Sequence, residues 1–215
     1  RRRNFSAILN FGGMRMLEQK EYDGQDFAGL KEPEQQVEEL KFHDCRFDGG
    51  DFSESVFKNC SFEKCRFTGA RLGACRFEHC SIVNCTFQYA GLFAAVFEEC
   101  KLTGTVFVGA NTASIQIIGG DWSYTDLREM DFYKMELENI NFRGADLNRA
   151  KLEKCRIKNC DFEGAMISGA SFRQSDLRDS NLGATDILGA DFRGARIDVQ
   201  QAIDMARALG AKFEP

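Results

Sequence analysis

The sequence predicts a solenoid, a chain that winds about an axis and packs its core as a column, and three regularities predict it. Large apolar residues recur at every fifth position: CRFEHCSIVNCTF, from Cys75 to Phe87, carries Phe77, Ile82 and Phe87 in this way. The same phase runs from Tyr22 through Phe42 and Phe62 to Phe107, then resumes at Ile117 and continues through Trp122, Phe142 and Phe162 to Ile197, broken at Glu32 and Thr112. Two residues before nearly every central position stands a small side chain, such as Ala70, Ala90, Ala145 or Thr185, and all nine cysteines fall at this position. The three remaining positions are rich in Gly, Asp, Asn, Lys and Arg, the composition of turns and solvated surface.

A step of five excludes the alternatives. Helical neighbours are three and four residues apart, so these side chains would be spread around every side of a helix. On a flat strand an odd step sends successive apolar residues to opposite faces. A chain that turns one corner per unit keeps all of them inside. No unit stands alone, because burying a Phe or Leu contributes about 1.5–3 kcal/mol while fixing five backbone residues costs roughly 1–2 kcal/mol each. Stacked neighbours must supply the rest through ladder hydrogen bonds and a shared apolar column.

Along the chain, residues 1–16 (RRRNFSAILNFGGMRM) carry too little apolar sequence for a secretory signal and are expected to be a cloning-derived or disordered segment. Residues 17–197 form the repeat domain, in which KEPEQQ (Lys31 to Gln36) is where a short loop would fit. Residues 198–215 read as a helical cap. Asp198 followed three residues later by Gln201 is a capping box, and Gly210 after Leu209 is a C-terminal cap. Ala202, Ile203, Ala206 and Leu209 then share an apolar face at helical spacing. Such a helix covers the last coil, which would otherwise expose unpaired backbone.

The remaining chemistry argues for binding by shape and surface. Zinc sites need close pairs of ligands that converge, whereas these cysteines stand five, ten or fifteen residues apart and point into the column, so they read as reduced core filler in a cytoplasmic protein. His43 and His79 fall at outward positions in different units. Phosphate-loop, dinucleotide, HExxH and GxSxG patterns are absent from the sequence, so no catalytic residue, metal ligand or cofactor is assigned and the protein is not expected to be an enzyme. No run of eighteen apolar residues exists for a membrane span.

The repeat resembles the pentapeptide-repeat consensus A(D/N)LXX, with GADLNRAKL (Gly144 to Leu152) and GADFRGARI (Gly189 to Ile197) as close matches. What the resemblance implies is an all-β fold: a right-handed quadrilateral parallel β-helix with four units and twenty residues per coil, followed by a short C-terminal α-helix. Under that register Cys45, Cys65 and Cys85 stack on one side, and Cys60, Cys80 and Cys100 on the next. Asp126, Asp146 and Asp186 share a face interrupted by Met166.

The ending GARIDVQQAIDMARALGA is similar to that of the Qnr/MfpA-like topoisomerase-protecting branch of the family. This resemblance implies an end-to-end homodimer through the C-terminal segment (Ala202, Ile203, Ala206, Leu209 and Phe213). It also implies a DNA-mimicking surface that binds DNA gyrase or topoisomerase IV and modulates the enzyme or protects it from quinolone-type inhibitors, without binding nucleic acid directly. The net charge of −5 is acidic but far from that of a duplex. Acidic residues just before the central positions concentrate in the second half, and Asp121, Asp126, Asp131, Glu136, Asp146 and Asp186 are the candidate partner-binding residues. An Asp there can also support turn backbone, and the two roles are compatible. The alternative is a repeat scaffold or regulator that binds another protein and has no topoisomerase role.

Overall fold

The computed structural model describes residues 9–11, 14–16 and 20–212. Contacts divide the chain into two units, one ending at Gln116 and the other beginning at Ile117. In the first unit, β1 (Leu9–Phe11) and β2 (Met14–Met16) form an antiparallel pair with Leu9 opposite Met16. Eight three-residue strands follow: β3 (Glu21–Asp23), β4 (Gln36–Glu38), β5 (Lys41–His43), β6 (Val56–Lys58), β7 (Ser61–Glu63), β8 (Arg76–Glu78), β9 (Ser81–Val83) and β10 (Val96–Glu98). They form two parallel sheets, β3-β5-β7-β9 and β4-β6-β8-β10. Tyr22 lies opposite Phe42, Phe42 opposite Phe62 and Phe62 opposite Ile82, a register of twenty residues and hence four five-residue units per coil. The unit is a parallel β-solenoid.

The two breaks in the apolar phase do not interrupt the coil. Within Lys31 to Gln36 the N–H groups of Glu32 and Glu34 donate to the carbonyls of Asp51 and Ser53, both at 2.8 Å, so no loop forms there. At Thr112 the flanking Asn111 and Ala113 accept from Leu92 and Ala94, both at 2.9 Å. The ladder is made by backbone groups and does not require a large central side chain.

The corners share one construction, apart from the 3-10 turn at Ile187–Gly189. The residue two after the centre adopts left-handed backbone, as at Asn84 (φ 53°), Tyr124 (φ 56°) and Gly144 (φ 62°). At Gly144 a Cβ would lie 2.6 Å from the exposed Tyr124 ring, which would have to move aside. Inside the first unit the phenylalanines form ladders of near-parallel rings: Phe42 and Phe62 are 4.9 Å apart, Phe47 and Phe67 4.7 Å, and Phe77 and Phe97 4.9 Å. Neighbouring ladders meet edge to face, as Phe57 meets Phe62 at 5.7 Å and 80°.

All nine cysteines are free and buried. Their position is polar as well as small. The Sγ of Cys60, Cys80 and Cys100 lies 3.5, 3.2 and 3.2 Å from the carbonyl oxygens of Val37, Phe57 and Phe77, each the centre of a strand one coil earlier. Thr105 Oγ1 donates to Ile82 in the same way at 2.7 Å. Where a unit closes as a turn, the next small residue returns its own N–H to the central carbonyl, as Ala90 does to Phe87 at 2.9 Å. Where the unit is extended, as at Phe57, a thiol or hydroxyl from the following coil reaches that carbonyl, and at some turns, such as Phe52 and Phe132, it does so beside the backbone N–H. Burial pushes the Cys75 thiol up to about 12 and the Cys155 and Cys160 thiols to about 11, which keeps them protonated as donors.

The strand β11 (Gln116–Ile118) falls at the boundary. In the second unit β12 (Gly120–Asp121) runs parallel to β14 (Ile140–Asn141), and β13 (Glu136–Glu138) to β15 (Arg156–Lys158) with Leu137 opposite Ile157. Single bridges such as Asp126 to Asp146 and Lys151 to Ser171 hold the twenty-residue register elsewhere. This parallel β-solenoid has Trp122, Phe132, Phe142, Phe162 and Phe172 fully buried. It ends in a 3-10 turn (Ile187–Gly189) and the helix α1 (Val199–Ala208).

Candidate functional site: the acidic sides and cap of the second unit

The register sorts the candidate carboxylates onto four sides. One side carries Asp121, Asn141, Asp161 and Asn181, and the next carries Asp126, Asp146 and Met166, with Asp186 twenty residues further on as the cap of the 3-10 turn. Asp131 falls on a third side with Lys151, and Glu136 on a fourth opposite Arg156. Asp121, Asp126 and Asp146 are therefore brought onto two consecutive sides, while Asp131 and Glu136 lie opposite Lys151 and Arg156 on sides that also carry Asp191 and Asp176. Asp161 completes the acidic pair of sides and was not among the candidates.

Every Asp of this set first serves its own corner. The carboxylates of Asp121, Asp126, Asp131, Asp146 and Asp186 accept from the backbone N–H two residues on, at 2.9–3.3 Å. Asp or Asn at this position thus closes the turn. Several are also neutralised. Arg128 grips Asp126 with Nε and Nη2 at 2.8 and 2.6 Å, and its Nε lies 3.6 Å from Asp146. Arg143 bridges Asp161 and Glu163. Asn141 and Asn181 donate side-chain N–H groups to Asp121 and Asp161, both at 2.9 Å. The strongest such grips lie beyond these two sides: Arg178 holds the Asp176 carboxyl down to about 2, and Arg193 holds that of Asp191 lower still.

The cap is built around Gln201, which is 2% exposed. Its Oε1 accepts the Asp198 N–H at 3.0 Å while Asp198 accepts the Gln201 N–H at 2.9 Å, the capping box legible in the sequence. Its Nε2 donates to the carbonyls of Leu177 and Ser180 at 2.6 and 2.7 Å, tying the helix to the last coil. Gly210 (φ 85°) ends the helix, its N–H bonding Arg207 and that of Ala211 bonding Ala206. Of the candidate apolar face, Ala202 and Leu209 are exposed, while Ile203 and Ala206 are half-buried. Phe213 lies outside the described residues. Val199, 78% exposed, extends the outward stripe to Val199, Ala202, Ala206 and Leu209.

Among the described residues no group of three His, Cys, Asp or Glu is placed to hold a metal ion, and no helix is long and apolar enough to cross a membrane. His43 is engaged by Asp23 at 2.7 Å.

Three family profiles match the chain: a pentapeptide repeat region over residues 70–152, nine copies of the repeat over 38–86 and eight copies over 155–198. Comparison with curated protein sequences finds no match. Among solved structures, a trypsin-treated QnrB1, a plasmid-mediated fluoroquinolone resistance protein, matches with a TM-score of 0.63 at 24% identity, over 90% of this chain and 97% of that one. A second trypsin-treated form of QnrB1 gives 0.59 at 25% identity over the same shares. HetL, a pentapeptide repeat protein involved in heterocyst differentiation regulation from the cyanobacterium Nostoc sp. strain PCC 7120, gives 0.55 at 15% over 82% and 86%. A five-residue phase, a twenty-residue register and profiles that together run from residue 38 to residue 198 lead to one conclusion: the chain belongs to the pentapeptide-repeat proteins.

Proposed function

We propose that this protein is a non-enzymatic, cytoplasmic DNA mimic that binds a type II topoisomerase, DNA gyrase or topoisomerase IV, as a homodimer joined through the outward face of α1. In this reading it modulates the enzyme or shields it from quinolone-type inhibitors. The observation that carries the reading is the set of carboxylates on two consecutive sides of the second unit, Asp121 and Asp161 beside Asp126 and Asp146, with Asp186 following at the 3-10 turn. The likeness to QnrB1, a fluoroquinolone resistance protein, supports it.

Magnitude sets the character of the contact. Coils stack at about 4.8 Å, so two fully acidic sides would present one charge per roughly 2.4 Å, against one per about 1.7 Å along a duplex. Asn141, Asn181 and Met166 thin that density, and Arg128 and Arg143 offset part of the rest. Binding is therefore salt-sensitive but less steeply so than duplex binding.

The self-neutralisation by Arg128 favours a second reading, a scaffold or regulator that engages a different protein. One substitution separates them. If the carboxylates face a basic DNA groove, Arg128→Ala frees Asp126 and Asp146 and strengthens capture of gyrase or topoisomerase IV subunits. Absent capture by both the parent and the variant leaves the scaffold, and equal capture by both removes Asp126 and Asp146 from the contact.

A further inference from the structure

At several other places a cation is matched by a carboxylate on a neighbouring coil. Lys41 pairs with Glu21 at 2.6 Å, Arg149 with Glu129 at 3.5 Å and Lys151 with Asp131 at 3.7 Å. Even Arg46 and Arg66, stacked with like charge, share one carboxylate, because Asp48 Oδ2 lies 3.0 Å from the first and 2.9 Å from the second. Lys134 and Lys154 depart from this pattern. They occupy the same left-handed corner of successive coils (φ 61° and 57°), and like charges one rung apart repel. Among the described residues, neither has a carboxylate within ion-pair distance.

Both ammonium groups instead gather at one ring, with Lys134 Nζ 5.0 Å and Lys154 Nζ 5.7 Å from the centroid of Tyr133. The ring is 46% exposed and walls an open pocket of about 390 Å³ together with Lys151, Lys154, Arg173 and Gln174, while Lys134 stands at the ring just outside this lining. Two carboxylates, Asp131 and Glu153, also line it, and Asp131 is turned to Lys151. A hydrogen bond from Lys154, aided by the charge of Lys134, pulls the Tyr133 phenol below its ordinary acidity range. The surroundings already favour negative charge at that oxygen.

The geometry points to an anion site in which Lys134 and Lys154 bracket a phosphate group, the Tyr133 hydroxyl donates to it, and Arg173 and Gln174 close the far side. The shared anion does for the two lysines what Asp48 does for Arg46 and Arg66. A phosphate dianion offers enough acceptor oxygens for these convergent donors. The pocket is larger than one phosphate and falls in the range of small-molecule sites, so the phosphate is carried on a small organic body.

The test is calorimetric titration of the full-length protein with sodium phosphate and with adenosine 5′-monophosphate, at an ionic strength fixed with chloride. Both should bind saturably, the nucleotide more tightly. Lys134→Ala with Lys154→Ala should weaken both by at least about tenfold while leaving the far-ultraviolet circular dichroism intact, and the glutamine pair Lys134→Gln with Lys154→Gln should do the same if the alanine pair misfolds. The bound anion should also raise the Tyr133 phenol back toward its ordinary range, read as absorbance at 295 nm, and Tyr133→Phe should remove that first ionisation step. No saturable binding at about 10 mM, or binding that survives both lysine pairs, overturns the site. Inorganic phosphate binding as tightly as the nucleotide overturns the organic body.

Discussion

Replacing Gln201 with Ala tests how the cap is held. The side chain makes three hydrogen bonds, a part-buried one to the Asp198 N–H and two buried ones to the carbonyls of Leu177 and Ser180. Each contributes about 0.5–1.5 kcal/mol net, and loss of the capping box adds to the cost of helix formation. The sum is about 2–4 kcal/mol, placed on the docking of α1 and not on the coils beneath. Native-state hydrogen exchange of the α1 amides reads it directly, because about 3 kcal/mol corresponds to exchange faster by roughly 100-fold. Gln200→Ala is the control, since Gln200 bonds Asp204 on the outer surface. If the Gln201 variant exchanges no faster than the Gln200 variant, the helix is held by something other than these bonds.

Other outcomes follow from the same geometry. Cys80→Ser keeps a small donor toward the Phe57 carbonyl and should fold with a thermal transition close to the parent, whereas Cys80→Arg puts an unpaired charge into the column and should abolish it; denatured protein without reductant should titrate as nine free thiols. Leu209, 73% exposed on the outward stripe, should give monomers in sedimentation when changed to Asp, if α1 forms the dimer contact. Asp176 is held at about 2 by Arg178, below its ordinary 3.8, so its contribution to stability is full above about pH 4 and fades as the pH falls through about 2. The pair is exposed and the effect small, but Arg178→Ala should move the Asp176 carboxyl titration, followed by carbon NMR, back up.

Much of this was legible in the sequence because the solenoid repeats at short range. The phase of Phe77, Ile82 and Phe87 names the core, and Asp198 with Gln201 names the cap, since each signal lies within a few residues. What escaped depends on neighbours one coil away. Cys80 reads as filler until Phe57, twenty-three residues earlier, is seen to need a donor. Gln201 reads as half of a capping box, and its second bond, to Leu177, crosses to another coil. The six acidic candidates read as one set, yet Asp131 and Glu136 turn onto sides shared with Lys151 and Arg156. Arg128 escaped as well: its grip on Asp126 is local, but its reach to Asp146 appears only once the coils are stacked.

The functional account stands or falls on competition with DNA. Purified protein should displace a gyrase-bound duplex and alter supercoiling or quinolone-stabilised cleavage, with the effect weakening as salt rises. Asp126→Asn with Asp146→Asn keeps the acceptor each turn requires and removes only the charge, so this pair should lose displacement while the thermal transition stays in place. Glu38→Gln with Glu39→Gln, in the first unit, should leave displacement intact. A protein that displaces no duplex from gyrase or topoisomerase IV at about tenfold excess over the enzyme, or an asparagine pair that competes as well as the parent, would contradict the account.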